Sequence, residues 1–184
     1  MDYHAALTVF HLLGVVIGMG GAFSSDLAFF SSIRDEKISH TEMRFLKLGG
    51  KMVWVGLFII VVSGALLFSE NPERYLNSAK FLAKMTIVAI IIANGVVFHL
   101  IHIPRLHRHA GHHFPSSDEF MRKAPLLIAG GVISIVSWLG AFILGALGRL
   151  PYGYLEFIAV YLAVLLPAVA IAVLLKKKLI PHLR

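Results

Sequence analysis

The sequence predicts an all-α, polytopic integral membrane bundle of five transmembrane helices, a single domain over residues 1–184, with the N-terminus outside and the C-terminus cytoplasmic. Three observations carry this expectation. Of 184 residues, 58% are hydrophobic and 15% charged, too apolar a balance for a soluble domain of this size. The apolar residues come in long runs rather than alternations. Lysine and arginine then sort by side: thirteen flank the runs on one side and Arg74, Lys80, Lys84 and Arg149 are the four on the other. By the positive-inside rule the richer side is cytoplasmic.

The runs cover about 3–33, 46–68, 79–103, 124–147 and 155–175, each long enough for the roughly 20 residues a bilayer needs. The expected setting is a multi-pass protein of a cell's inner (plasma) membrane, with the lipid bilayer as its first partner. The net charge of +7 follows from this topology, so no nucleic-acid partner is expected. Cysteine is absent and histidine numbers ten. That excludes disulfides, thiolate zinc sites, iron–sulfur clusters and thioether-attached haem. Any metal must be held by imidazole, amine, thioether, carboxylate or backbone.

The first span is preceded by Asp2 alone among charges, so a cleaved signal peptide is not expected. His4, His11, Gly18 and Ser25 recur on one of its faces every seven residues. Gly14 and Gly18 form a small-xxx-small pair beside that face. Such glycines serve close helix packing. They also allow a flat macrocycle to lie against the backbone, and both roles can hold in one helix. Asp26 and Lys51, each towards the cytoplasmic end of its span, are expected to pair. In the second span Trp54 is a candidate interfacial anchor. Pro72 enforces a turn in the short polar segment 69–78.

The third span carries Lys84, Asn94, His99 and His102 where lipid favours none of them. On an ideal helix Lys84, Ile91, Gly95 and His102 share one stripe, with Lys84 and His102 roughly 27 Å apart. One small ligand cannot reach both, so two sites, or one site and an anchor, are expected. His99 and His102 are surface neighbours three residues apart and offer a second haem or a metal site, or more plainly interfacial histidines beside lipid headgroups. His107, His109, His112 and His113 follow in a segment whose proline and glycine read as a loop. This tract suits either a transition metal or anionic headgroups.

The fourth span places Ser134, Trp138, Ala141, Gly145 and Gly148 on nearly one face, the spacing of tight packing and a candidate homodimer surface. The fifth has Tyr154, Glu156 and Tyr161 near its outer end and Pro167 in its body, where a bend is expected. Neither span holds a ligand-type histidine, so any cofactor chemistry belongs to the first three.

Depth then brings candidates together. The first and third spans run the same way. His11 lies seven residues beyond His4, about 10 Å in, and Lys84 and Met85 lie five and six beyond Ala79, about 8 Å in. An imidazole can thus face an amine or a thioether near the outer leaflet. These are axial ligands for haem iron, with propionates turned to the outer aqueous edge. The plainer alternatives are a histidine bonded between helices and a lysine snorkelling outward.

Three segments carry a family likeness. They are HLLGVVIGMGGAFSSDLAFF in the first span, EMRFLKLGGKMVW with SGALLF in the second, and KMTIVAIII in the third. In this order they resemble the HemJ-type protoporphyrinogen IX oxidases and the related CopD-like membrane family, over about the first 110 residues. The resemblance implies haem binding by a first-helix histidine and a third-helix lysine, here His11 and Lys84. Two features depart from it. Those oxidases carry a Trp after the histidine and an Arg in an LPRL-like segment, where this chain has Gly18–Met19–Gly20 and Ser24–Ser25–Asp26–Leu27. They also have four helices rather than five. The likeness therefore carries the cofactor further than the reaction.

The leading expectation is a b-type haem protein, with one haem or two, in electron transfer or oxidation of a porphyrin or quinone-like substrate, served by a membrane or soluble redox partner. The alternative is a copper, zinc or nickel transporter or sensor built on His99, His102 and the loop histidines. A third is a packing subunit without a cofactor.

Overall fold

A computed structural model describes residues 2–34, 39–108, 118–148 and 150–175. Lys37, His109, His112, His113, Arg149, Lys176, Lys177, Lys178 and Arg184 lie outside the described residues. Among the described residues the chain is all α. Five helical stretches are long and apolar enough to cross a membrane: Tyr3–Ser31, His40–Glu70, Ala79–Arg108, Arg122–Ala146 and Tyr154–Leu174. Their outward faces are apolar, with Leu27, Phe58, Leu100, Leu155 and Leu174 all more than 60% exposed. Soluble proteins rarely show such a continuous apolar coat, and lipid is its natural solvent.

Helix α1 (Tyr3–Arg34) and α2 (His40–Glu70) form an antiparallel hairpin. The second helix starts six residues earlier than its apolar run. Ser39 caps it, accepting from the Glu42 amide while the Glu42 carboxylate accepts from the Ser39 amide, so polar residues extend the helix beyond the hydrophobic core. The segment read as a proline turn is instead a short helix, α3 (Pro72–Leu76), with Pro72 in the first turn and Asn71 capping the Arg74 amide. Proline lacks only an N–H that this position would leave unpaired.

Helix α4 (Ala79–Val97) runs into a π-helical turn (Phe98–His102) and then α5 (Ile103–Arg108). The segment expected to leave the membrane as a loop at Pro104 therefore stays helical to Arg108. Pro104 has no N–H for the Leu100 carbonyl, and the wide turn sits immediately before it, closing with the Ile103 amide on the Phe98 carbonyl.

Helices α6 (Asp118–Ala146) and α7 (Tyr154–Leu174) complete the bundle. Helix α6 packs on α1, α4 and α7, and so links the hairpin to the rest. One buried cluster joins Phe29, Met43, Leu46, Ile103, Leu106, Leu127 and Ile128 near the His40 end. A second joins Leu57, Ile60, Ile87, Ile91, Trp138, Tyr161 and Leu165 towards the Glu70 end. Within it Ser137 and the Tyr161 hydroxyl lie 2.8 Å apart, both buried. Tyr161→Phe leaves Ser137 without that partner, and a loss of about 0.5–1.5 kcal/mol is expected, read as a lower thermal midpoint in detergent.

Candidate functional site

The α1–α2 seam positions the site, and it is a ladder with a seven-residue step on both helices. His4 bonds Glu70 at 2.5 Å and His11 bonds Ser63 at 3.0 Å. Next, the backbone of Gly18 meets Gly56, and Ser25 lies on Gly49. A Cβ on Gly56 would strike the Gly18 backbone, and one on Gly49 the Ser25 side chain. Gly14 joins this contact, since a Cβ there would lie 2.9 Å from the Ile59 side chain, while one on Gly18 would lie 2.5 Å from Trp138. The two glycines proposed to cradle a macrocycle thus meet α2 and α6 directly. The sequence displays the complement plainly: Gly49, Gly56, Ser63 and Glu70 repeat every seven residues on α2.

Ser63 is the residue that reading α1 alone misses. Its hydroxyl donates to the Ile59 carbonyl at 2.5 Å, so its oxygen accepts from His11 Nδ1–H. The ring is also held by a backbone hydrogen bond at Ile60. Metal-binding histidines are commonly oriented by such bonds to the ring.

His11, Lys84 and Met85 all line one cavity of about 200 Å³ between α1, α2, α4 and α6. Leu57, Ile60, Val88, Ile91, Trp138 and Phe142 supply apolar walls. Lys84 is half-buried and makes no hydrogen bond or ion pair among the described residues, its amine lying 5.8 Å from the centre of the Phe81 ring. Lys84 and Gly145 also border a second cavity of about 560 Å³, lined by Arg74, Tyr75, Lys80 and Tyr152. Lys80 there holds the carbonyls of Leu147 and Gly148 at 2.5 and 3.0 Å. A largely apolar chamber with an imidazole therefore adjoins a basic vestibule at the Glu70 end.

The remaining expectations resolve differently. His99 and His102 do not converge: His99 is exposed, its ring edge-on to Trp54 at 6.3 Å, whereas His102 is 3% exposed with Nδ1 unpartnered. No group of three His, Cys, Asp or Glu side chains has metal-binding geometry among the described residues. Asp26 and Lys51 do not pair. Lys51 is exposed, and Asp26 turns instead to α6, where Ser134 is its hydrogen-bond partner. Trp54 is half-buried and lines a cavity beside His99. On α6, Ser134 and Trp138 pack against α1, whereas a Cβ on Gly145 or Gly148 would meet nothing within 4 Å.

No family model, curated protein or solved structure matches this chain.

Proposed function

We propose that the chain is an integral membrane b-type haem protein in which His11, with Lys84 or Met85, would hold the haem iron, acting in electron transfer or oxidation of a porphyrin or quinone-like substrate. The observation that carries this reading is the convergence of His11, Lys84 and Met85 on one cavity from two helices, with the His11 ring oriented by Ser63. The donor set suits iron in a porphyrin, since each axial position needs one donor and the macrocycle supplies the other four. The resemblance to HemJ-type oxidases points to the same pair, His11 and Lys84.

The 200 Å³ chamber alone falls below the roughly 300–1,000 Å³ of whole-ligand pockets, and the 560 Å³ vestibule shares Lys84 and Gly145 with it. Arg74, Lys80, Tyr75 and Tyr152 are the residues that would receive carboxylates there. When bound, haem supplies one-electron chemistry at its iron. The chain's own part is to orient and to exclude water. Ser63 holds the imidazole in place, and the leucine, isoleucine and tryptophan walls make the chamber largely apolar.

The test is an oxidised and dithionite-reduced spectrum of protein purified with ample haem supply, with haem measured per chain. A Soret band with sharp reduced α and β bands at one haem per chain is expected; a featureless spectrum overturns the proposal. Ser63→Ala removes the orienting acceptor but no ligand. It is expected to weaken haem affinity by about 10–100-fold while leaving the reduced bands recognisable, as measured by haem titration of the apoprotein.

A further inference from the structure

A second polar cavity, of about 60 Å³, lies between the two apolar clusters and is lined by Ser25, Asp26, Trp54, Asn94, His99 and Ser134. Three features distinguish it. Ser25 is 6% exposed and its hydroxyl oxygen has no hydrogen-bond partner among the described residues, although it borders the cavity. Asp26 Oδ2 is likewise buried and unpartnered, while Ser134 satisfies the same carboxyl group from α6. Asn94 is committed elsewhere, its amide donating to the Gly130 carbonyl at 3.0 Å. Two orphaned oxygens at one small cavity in an apolar bundle call for a small polar occupant. One water needs roughly 10–15 Å³, so the volume admits a short cluster.

The charges nearby select among occupants. His99 is the one other titratable side chain lining the cavity among the described residues. Helix α2 presents Gly50, Val53 and Trp54 to it, α4 presents Ile91, Asn94 and Gly95, and α6 adds Ser134, with no cation among them. Lys47 and Lys51 flank Gly49, which faces Ser25, but both are exposed and neither lines the cavity. Lysines exposed at the end of a spanning helix suit a headgroup boundary. His99 is itself exposed and also lines the cavity.

We propose that Asp26 is a buried proton-binding site, hydrated within this cavity and in exchange with bulk water through His99. A proton from water is taken up by the free imidazole nitrogen of His99, the other ring proton passes to cavity water, and that water protonates Asp26 Oδ2; release reverses the order. Electrons are not involved, and the site does not depend on haem.

Infrared spectroscopy of the full chain in phosphatidylcholine vesicles tests this. A carboxylic-acid C=O band is expected that Asp26→Asn abolishes, that gives way to carboxylate absorption as pH rises, and that shifts within minutes of transfer to D₂O. His99→Ala should keep the band but slow its D₂O shift severalfold. Ser134→Ala should move the band without removing it, an assignment that stands even where Asp26→Asn fails to fold. A band unmoved by pH and by D₂O overturns the proposal, as does one that survives Asp26→Asn. So does one that titrates with sodium at fixed pH, which would make the occupant a metal cation.

Discussion

His11→Ala is expected to lower haem content at least tenfold and to abolish the Soret band, or shift it where a residual ligand remains, in preparations made with the same haem supply as the parent. His11 is the single imidazole at the cavity it shares with Lys84 and Met85. Among the described residues no other histidine lines this cavity: His4 is bonded to Glu70 seven residues away, about 10 Å along the helix, and His99 and His102 lie at the far end of α4. The substitution also frees Ser63, which keeps its bond to the Ile59 carbonyl and so leaves no orphaned proton behind. Helical content and size-exclusion profile should therefore match the parent, separating loss of a ligand from loss of fold.

The opposite axial position is decided by the companion variants. Lys84→Ala and Met85→Leu remove neighbouring donors at the same cavity. The one that turns a sharp six-coordinate reduced spectrum into a broad five-coordinate one identifies the ligand. Full haem content and an unchanged spectrum in His11→Ala would sink the proposal outright.

The parts of this architecture that depend on periodicity were legible before any coordinates. Five apolar runs became five helices, and the repeat of His4, His11, Gly18 and Ser25 is the α1 side of the ladder. Depth counting from helix starts also placed His11 level with Lys84 and Met85, because rise per residue is nearly constant. What escaped depends on pairing between helices or on backbone detail. Asp26 had an obvious cationic candidate in Lys51, yet the seam sets Ser25 against Gly49 and turns Asp26 away towards α6. Trp54 looked like an anchor from its type, while its position across from His99 follows from how α2 and the π-turn are juxtaposed. The π-turn itself had one trace in the sequence, Pro104, whose missing N–H is equally compatible with a helix end. Ser63 was within reach, since its seven-residue companions Gly49, Gly56 and Glu70 mirror those of α1.

Along that ladder Gly56 meets the least yielding neighbours. A methyl group there meets the backbone nitrogen and Cα of Gly18 and the carbonyl oxygen of Gly14, none of which can rotate aside as a side chain would. The helices must separate instead, so Gly56→Ala is expected to cost about 1–3 kcal/mol and Gly56→Leu more, seen as a lower unfolding midpoint in detergent. Gly20→Ala is the matched control, because nothing lies within 4 Å of the added carbon. It should be neutral or stabilising by up to about 1 kcal/mol, through helix propensity alone. Separation at Gly56 also propagates one rung. Ser63 is seven residues, about 10 Å, along α2, and its bond to His11 stretches as the seam opens. Gly56→Ala should therefore weaken haem binding in the same direction as Ser63→Ala, although it touches neither the imidazole nor the cavity wall. Equal midpoints for Gly56→Ala and Gly20→Ala would mean that α1 and α2 do not meet along this line. In that case the placement of His11 opposite Ser63 would fall with it.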